Sequence, residues 1–129
     1  MTNLTKTLIK HIKNNLEGIS LYNDLFPKDE LEGVICVHDP ATKKLIEFID
    51  GTSENQINIS FTARYAKAEK ARQVLTDILN LLDGAKITDE ADGLRLKVSA
   101  VANVQFLGVT DKNNSIYTSS VNVTYTKIN

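Results

Sequence analysis

The chain has no tryptophan, one cysteine, two prolines and two histidines in 129 residues. A single cysteine, Cys36, excludes an intrachain disulfide and any cysteine-cluster metal site. Aromatic residues are only 6% of the total, which argues against a stacking platform for sugars or bases. No apolar run approaches membrane-spanning length. The N-terminal stretch "MTNLTKTLIKHIKNNLEG" reads as an amphipathic helix and not as a secretory signal. The formal net charge is −1, so no overall basic field announces nucleic acid and no acidic excess announces disorder. Phosphate loops, dinucleotide glycine fingerprints, H-E-x-x-H and nucleophile elbows are all missing. Four sequon-like triplets begin at Asn3, Asn58, Asn113 and Asn122; without a secretory signal they read as chance. The expectation is a cytoplasmic protein with no catalytic chemistry, no cofactor and no metal.

What remains is an ordinary globular composition, 42% apolar and 24% charged. A chain of this length holds one core, and no repeat or low-complexity tract divides it, so residues 1–129 read as a single domain. Leu4, Leu8, Ile9, Ile12 and Leu16 recur at helical spacing and predict an N-terminal helix that Gly18 ends. Lys6, Lys10 and Lys13 lie elsewhere around it, as a solvated face. "ISLY" predicts a short strand, "NDLFPKDELEG" a loop held open by Pro27, and "VICV" a buried strand. "DPATKK" then predicts a turn, "LIEFID" a further strand, and "TSENQ" a connection around Glu54.

Ile57, Ile59 and Phe61 alternate with polar residues, so a half-buried strand follows, most economically in an antiparallel arrangement. The period then changes. Ala68, Ala71, Val74, Leu75, Ile78, Leu79 and Leu82 predict one long central helix, from about Tyr65 to Leu82. No Ser, Thr, Asp or Asn stands immediately before Tyr65 to cap it. Either tertiary contacts fix the corner or Thr62 caps an earlier start. Beyond the helix, Leu94 to Phe106 carries apolar residues on one parity that breaks near Ala100, and "LGVTDKNNS" signals a loop. "IYTSSVNVTYTKI" predicts a last strand with Tyr117, Val121, Val123 and Tyr125 on one face and Thr118, Ser120, Asn122 and Thr124 on the other. The fold class is α+β: a mixed or largely antiparallel sheet with an N-terminal helix and one long central helix packed on it. Ile57, Ile59, Phe61, Val74, Leu75, Ile78 and Leu82 are expected to share one core.

Candidate chemistry is sparse. Cys36 and His38 share a face of a regular strand, which leaves open an enzyme or small-ligand binder using that pair; the burial habit of free cysteine makes Cys36 a core residue instead. His11 sits on a lysine-rich helix, as a surface or boundary histidine. "DKNNS", Asp111 to Ser115, imitates the opening of a calcium loop but lacks the required glycine, since Ile116 stands there, and the acidic twelfth residue, since Asn122 stands there. It reads as a turn. Asp89, Glu90 and Asp92 form a solvated loop without an apolar pocket around them. Arg64, Lys67, Lys70 and Arg72 make a modest basic cluster diluted by Glu69. A solvated helix face is the bland account of it, and a phosphate-contacting nucleic-acid module is the alternative.

The order of these elements resembles a known family. A lysine-bearing N-terminal helix leads to a short strand and a proline-containing loop; a β pair follows, ending in the strand-to-Arg corner "INISFTAR". Then come the alanine-bearing helix "YAKAEKARQVLTDILNLL" and "VANVQFLGVTDKNNSIYTSSVNVTYT", with Gly108 and Asp111 before a turn and a terminal strand. Together these resemble the tail terminator and minor capsid proteins of long-tailed bacteriophages and prophages. The resemblance covers nearly the whole chain, most specifically Ile57 to Leu82 and Gly108 to Tyr125. It implies a structural virion-assembly protein and not an enzyme. Such a protein forms a homo-oligomeric hexameric ring that caps the tail tube, stops its polymerisation and joins tail to head. Its implied partners are the major tail tube protein and head-completion or connector proteins, with DNA only passing through the lumen and no membrane. Its place is the virion tail, assembled in the host bacterial cytoplasm. Asp111, Asn113 and Asn114, with the loops around Pro27 and Glu54, are expected near subunit or tail contacts, and Arg64 and Lys67 near a subunit boundary or the lumen.

Overall fold

A computed structural model describes residues 2–23, 32–47, 53–89, 93–110 and 112–127. In chain order the elements are α1 (Thr2–Asn15), β1 (Leu21–Asn23), β2 (Gly33–Glu47), β3 (Ser53–Tyr65), α2 (Ala68–Leu82), β4 (Lys86–Asp89), β5 (Leu94–Val109) and β6 (Ser115–Lys127). The strands form one sheet in the order β1-β2-β3-β6-β5-β4. Every neighbouring pair is antiparallel except β1 and β2, which run parallel. The fold is therefore α+β, with a mixed and largely antiparallel sheet.

Periodicity explains which faces meet. On β3 the odd-numbered residues Ile57, Ile59, Phe61, Ala63 and Tyr65 are buried, while Gln56, Asn58, Ser60, Thr62 and Arg64 are half-buried on the other face. On α2 the buried residues are Ala71, Val74, Leu75, Ile78 and Leu82, one stripe of a 3.6-residue period. Leu4, Leu8 and Ile12 of α1 complete the same core, with Ile9 and Leu16 packed against it. The seven residues expected to share a core do so. The opposite sheet face carries Asn58 and Asn122 in register, and the Asn58 amide donates to Asn122 Oδ1 at 3.2 Å.

Several boundaries differ from the sequence expectations. "DPATKK" is not a turn. β2 continues through it, and the ladder with β3 shifts register between His38 and Thr42. Pro40 falls inside that shift, where a residue without an N–H disturbs the ladder least. "TSENQ" is not wholly a connection, since β3 begins at Ser53; Glu54 is therefore a strand residue opposite Thr126. Leu107 to Val109, read as loop, are the end of β5. The strand Lys86–Asp89 has no counterpart in the sequence reading. Helix α2 starts at Ala68 and not at Tyr65, which is the last residue of β3. The parity break near Ala100 is present: the register of β5 on β6 shifts between Ala100 and Ala102, and twice more before Gly108.

Candidate functional site

Strand register gathers the corner before α2, the β5–β6 turn and the far end of β5 at one end of the sheet. Arg64 stands between Gly33 of β2 and Ile116 of β6, Tyr65 faces Ser115, and Ser115 faces Val109. Two sequence-selected groups, Arg64 with Lys67 and Asn113 with Asn114, therefore lie at the same sheet end. Glu54 does not, because its partner Thr126 is at the other end. Asp111 and the loop around Pro27 lie outside the described residues.

Tertiary contacts set the corner. Lys67 occupies the N-cap of α2 with an extended backbone and makes no side-chain capping bond. Thr62 is in mid-strand and cannot cap. Instead the Ala66 N–H donates to Glu32 Oε2 at 2.9 Å, tying the corner to the residue just before β2. The Lys70 ammonium lies 5.2 Å from the Tyr65 ring centroid, a cation–π distance. Tyr65 is buried, and its phenol is pushed above its ordinary pKa, first by burial and then by Glu32 and Tyr22. Lys67, Glu69, Lys70, Gln73 and Val74 border a shallow groove of about 400 Å³ on the exposed side of the helix start.

The turn Thr110–Asn114 is closed by its own backbone. The Thr110 N–H donates to the Asn114 carbonyl at 2.8 Å, and the Asn113 N–H donates to the Thr110 carbonyl at 3.0 Å. Thr110 Oγ1 accepts from the Asn114 N–H at 3.1 Å. Asn113 adopts a left-handed φ of 63°, a conformation that asparagine tolerates better than most residues. Asn114 is buried and shapes the turn, whereas Lys112 and Asn113 are exposed at its tip.

Sequence reasoning missed the third feature, the edge of β5. Strand β4 pairs only with Leu94 to Lys97. The chain after α2 extends that cover slightly: Gly84 and Ala85 exchange backbone bonds with Val98, and Asp83 Oδ1 accepts the Ala100 N–H at 3.0 Å. From Val101 to Val109, no strand among the described residues lies along the outer edge. Among the described residues, four of the five exposed large hydrophobic side chains are on this segment: Val101, Phe106, Leu107 and Val109, each more than half exposed. The Phe106 ring meets the Tyr117 ring edge-on, with centroids 5.4 Å apart. The signal was readable in "VQFLGV", which carries apolar residues on both parities and no charge.

The thiol of Cys36 is fully buried in the core. Among the described residues no group of three or more His, Cys, Asp or Glu side chains is placed to hold a metal ion. No described helix is long and apolar enough to cross a membrane. No protein-family profile matches the chain, and no curated protein sequence matches it.

Proposed function

We propose that this chain is a structural assembly protein of a long-tailed bacteriophage or prophage, a tail terminator whose hexameric ring caps the tail tube, stops its polymerisation and helps join tail to head. The observation that carries this reading is the outer edge of β5. An uncovered strand presenting Val101, Phe106, Leu107 and Val109 is a surface that another chain must cover, because open apolar edges otherwise pair at random. It adjoins the Thr110–Asn114 turn and the Arg64–Lys67 corner, so one end of the subunit offers both an apolar strip and polar points of contact. The order of elements that resembles the terminator family supports the same reading. Ring contacts are heterologous, so a different surface of the neighbouring subunit must be complementary to this edge.

The competing enzyme reading needs Cys36 as nucleophile, and a sulfur with no solvent exposure gives a substrate no approach. The nucleic-acid reading rests on Lys67 and Lys70, two exposed cations beside Glu69 in a chain of net charge −1. The test is deletion of the coding sequence from the phage or prophage that carries it. Overlong tails without heads, visible by electron microscopy and restored to normal by the intact chain, are the expected result. Tails of normal length joined to heads after complete deletion overturn the proposal.

A further inference from the structure

We infer that the free subunit closes this edge on a second copy of itself: β5 pairs antiparallel with β5 across a two-fold axis at Gln105. The dimer goes beyond the ring reading, in which the same edge meets a different surface of the neighbour; here it is closed before assembly. The free edge runs from Val101 to Val109, because Asp83 Oδ1 takes the Ala100 N–H and Gly84 and Ala85 bond to Val98. Among the described residues no segment returns to cover it. Asn23 adjoins the far side of β2, and Glu47, Asp89 and Lys127 lie at the opposite end of the strands.

The chemistry of the edge permits pairing with its own kind. Edges that stay single carry lysine, other charges or proline, so that identical copies repel or lose ladder bonds. Ser99 to Thr110 holds no charged residue and no proline. Asp111 and Lys112, which follow in the turn, are of opposite sign and add no net charge at the ends of the ladder. Register shifts can also turn an edge away from partners, but those of β5 leave Val101, Phe106, Leu107 and Val109 more than half exposed. Such a surface favours association, and a second copy is the partner that always accompanies it.

Symmetry sets the register. In an antiparallel pair of identical strands, residues equally far from the axis face one another. Gln105 is the midpoint of Val101 to Val109, so an axis there uses the whole free edge and stops each ladder where Asp83 begins. An axis nearer Val101 would drive the partner's turn into Asp83 and Ala85, and one nearer Val109 would leave free backbone uncovered. With the axis at Gln105, Val101 faces Val109 and Val104 faces Phe106, apolar against apolar. The two Gln105 amides face each other, and each supplies both a donor and an acceptor. Only the pair of Asn103 with Leu107 is mixed. The shift between Ala102 and Gln105 falls opposite the one between Phe106 and Gly108, so the two strands bend at matching places. A ladder this short lies at the small end of specific interfaces, so the dimer dissociates in the micromolar range and releases the edge for later assembly.

The test uses the full chain with Cys36→Ser as background. Gln105→Cys should give a disulfide-linked dimer under mild oxidation, because facing residues stand about 4.5–5.5 Å apart at Cα, within disulfide reach. Val101→Cys should not link to itself, since its two copies lie about 27 Å apart along the ladder, yet it should link to Val109→Cys. Sedimentation of the unaltered chain should show a monomer–dimer equilibrium. Val101→Lys with Val109→Lys should weaken it about tenfold or more, while Val101→Lys with Val109→Glu should restore it, both variants being folded by circular dichroism. Dimers that link neither through Gln105→Cys nor between Val101→Cys and Val109→Cys pair through another surface and overturn the inference. So do monomers at millimolar concentration, and so does equal weakening by the two charge variants. None of these outcomes touches the ring reading, which stands or falls on tail length after deletion.

Discussion

Two leucines of identical chemistry should respond to the same substitution in opposite ways. Leu75 is 0% exposed and lies on the α2 stripe over the sheet, whereas Leu107 is 61% exposed on the open edge of β5. Leu75→Ala removes buried carbon and leaves a cavity, at a cost of about 2–5 kcal/mol. Unfolding entropy of about 2.1 cal/mol/K per residue gives a chain of 129 residues roughly 0.27 kcal/mol for each degree, so a loss of about 3 kcal/mol lowers Tm by roughly 10 °C. Leu107→Ala, by contrast, changes a side chain that water already reaches, and subunit stability should move by less than about 0.5 kcal/mol. Its effect belongs to association, where covering the exposed apolar surface contributes about 2 kcal/mol. Thermal and urea unfolding by circular dichroism measure the first quantity, and sedimentation across a concentration series measures the second. A Tm shift near zero for Leu75→Ala would show that the stripe faces solvent and that the architecture is wrong. A large Tm loss for Leu107→Ala with unchanged association would show that β5 is packed within the subunit and presents no docking edge.

Cys36→Ser should leave assembly intact and lower stability by about 1–3 kcal/mol, read from a urea midpoint, because a hydroxyl replaces a buried thiol in an apolar strand. Ser119→Ala should raise Tm by a few degrees, about 1 kcal/mol, since Ser119 Oγ is buried opposite Phe61 without a hydrogen-bond partner. The phenol of Tyr65 is raised above its ordinary pKa, so the folded chain holds that proton more tightly than the unfolded chain does. Its contribution is complete below about pH 10 and is lost as pH rises through the folded value. Tyr65→Phe should therefore flatten the alkaline fall in stability, measured as urea midpoints from pH 9 upward relative to the unaltered chain.

The sequence made the core legible because burial there follows local periods. Ile57, Ile59 and Phe61 alternate, Val74 to Leu82 recur every third or fourth residue, and each pattern survives any choice of neighbour. The length of the strands was not legible. β2 was read as two pieces and β5 as ending early, because Pro40 and the shifts after Ala100 reverse which parity is apolar, and a reversed parity looks like a boundary. The corner at Tyr65 was legible only as a problem, an uncapped helix start. Its answer, Glu32 accepting the Ala66 N–H, comes from a residue far away in the chain that no local rule connects to it.

The candidate site was harder to read for a related reason. Whether "VANVQFLGV" lies inside a sheet or on its rim depends on strand order, and that order places β5 next to a β4 too short to cover it. A sequence shows apolar residues on both parities there and cannot say whether both are buried. The shifts that hid the strand bear on its use. An ideal flat edge of uncharged residues would accept almost any extended chain. The three register shifts along β5 bend and twist its far half, so that only a strand following the same curve can form a continuous ladder. Specific assembly through a bare edge requires such a shape, and a variant that straightened β5 by deleting one bulge residue should aggregate before it failed to fold.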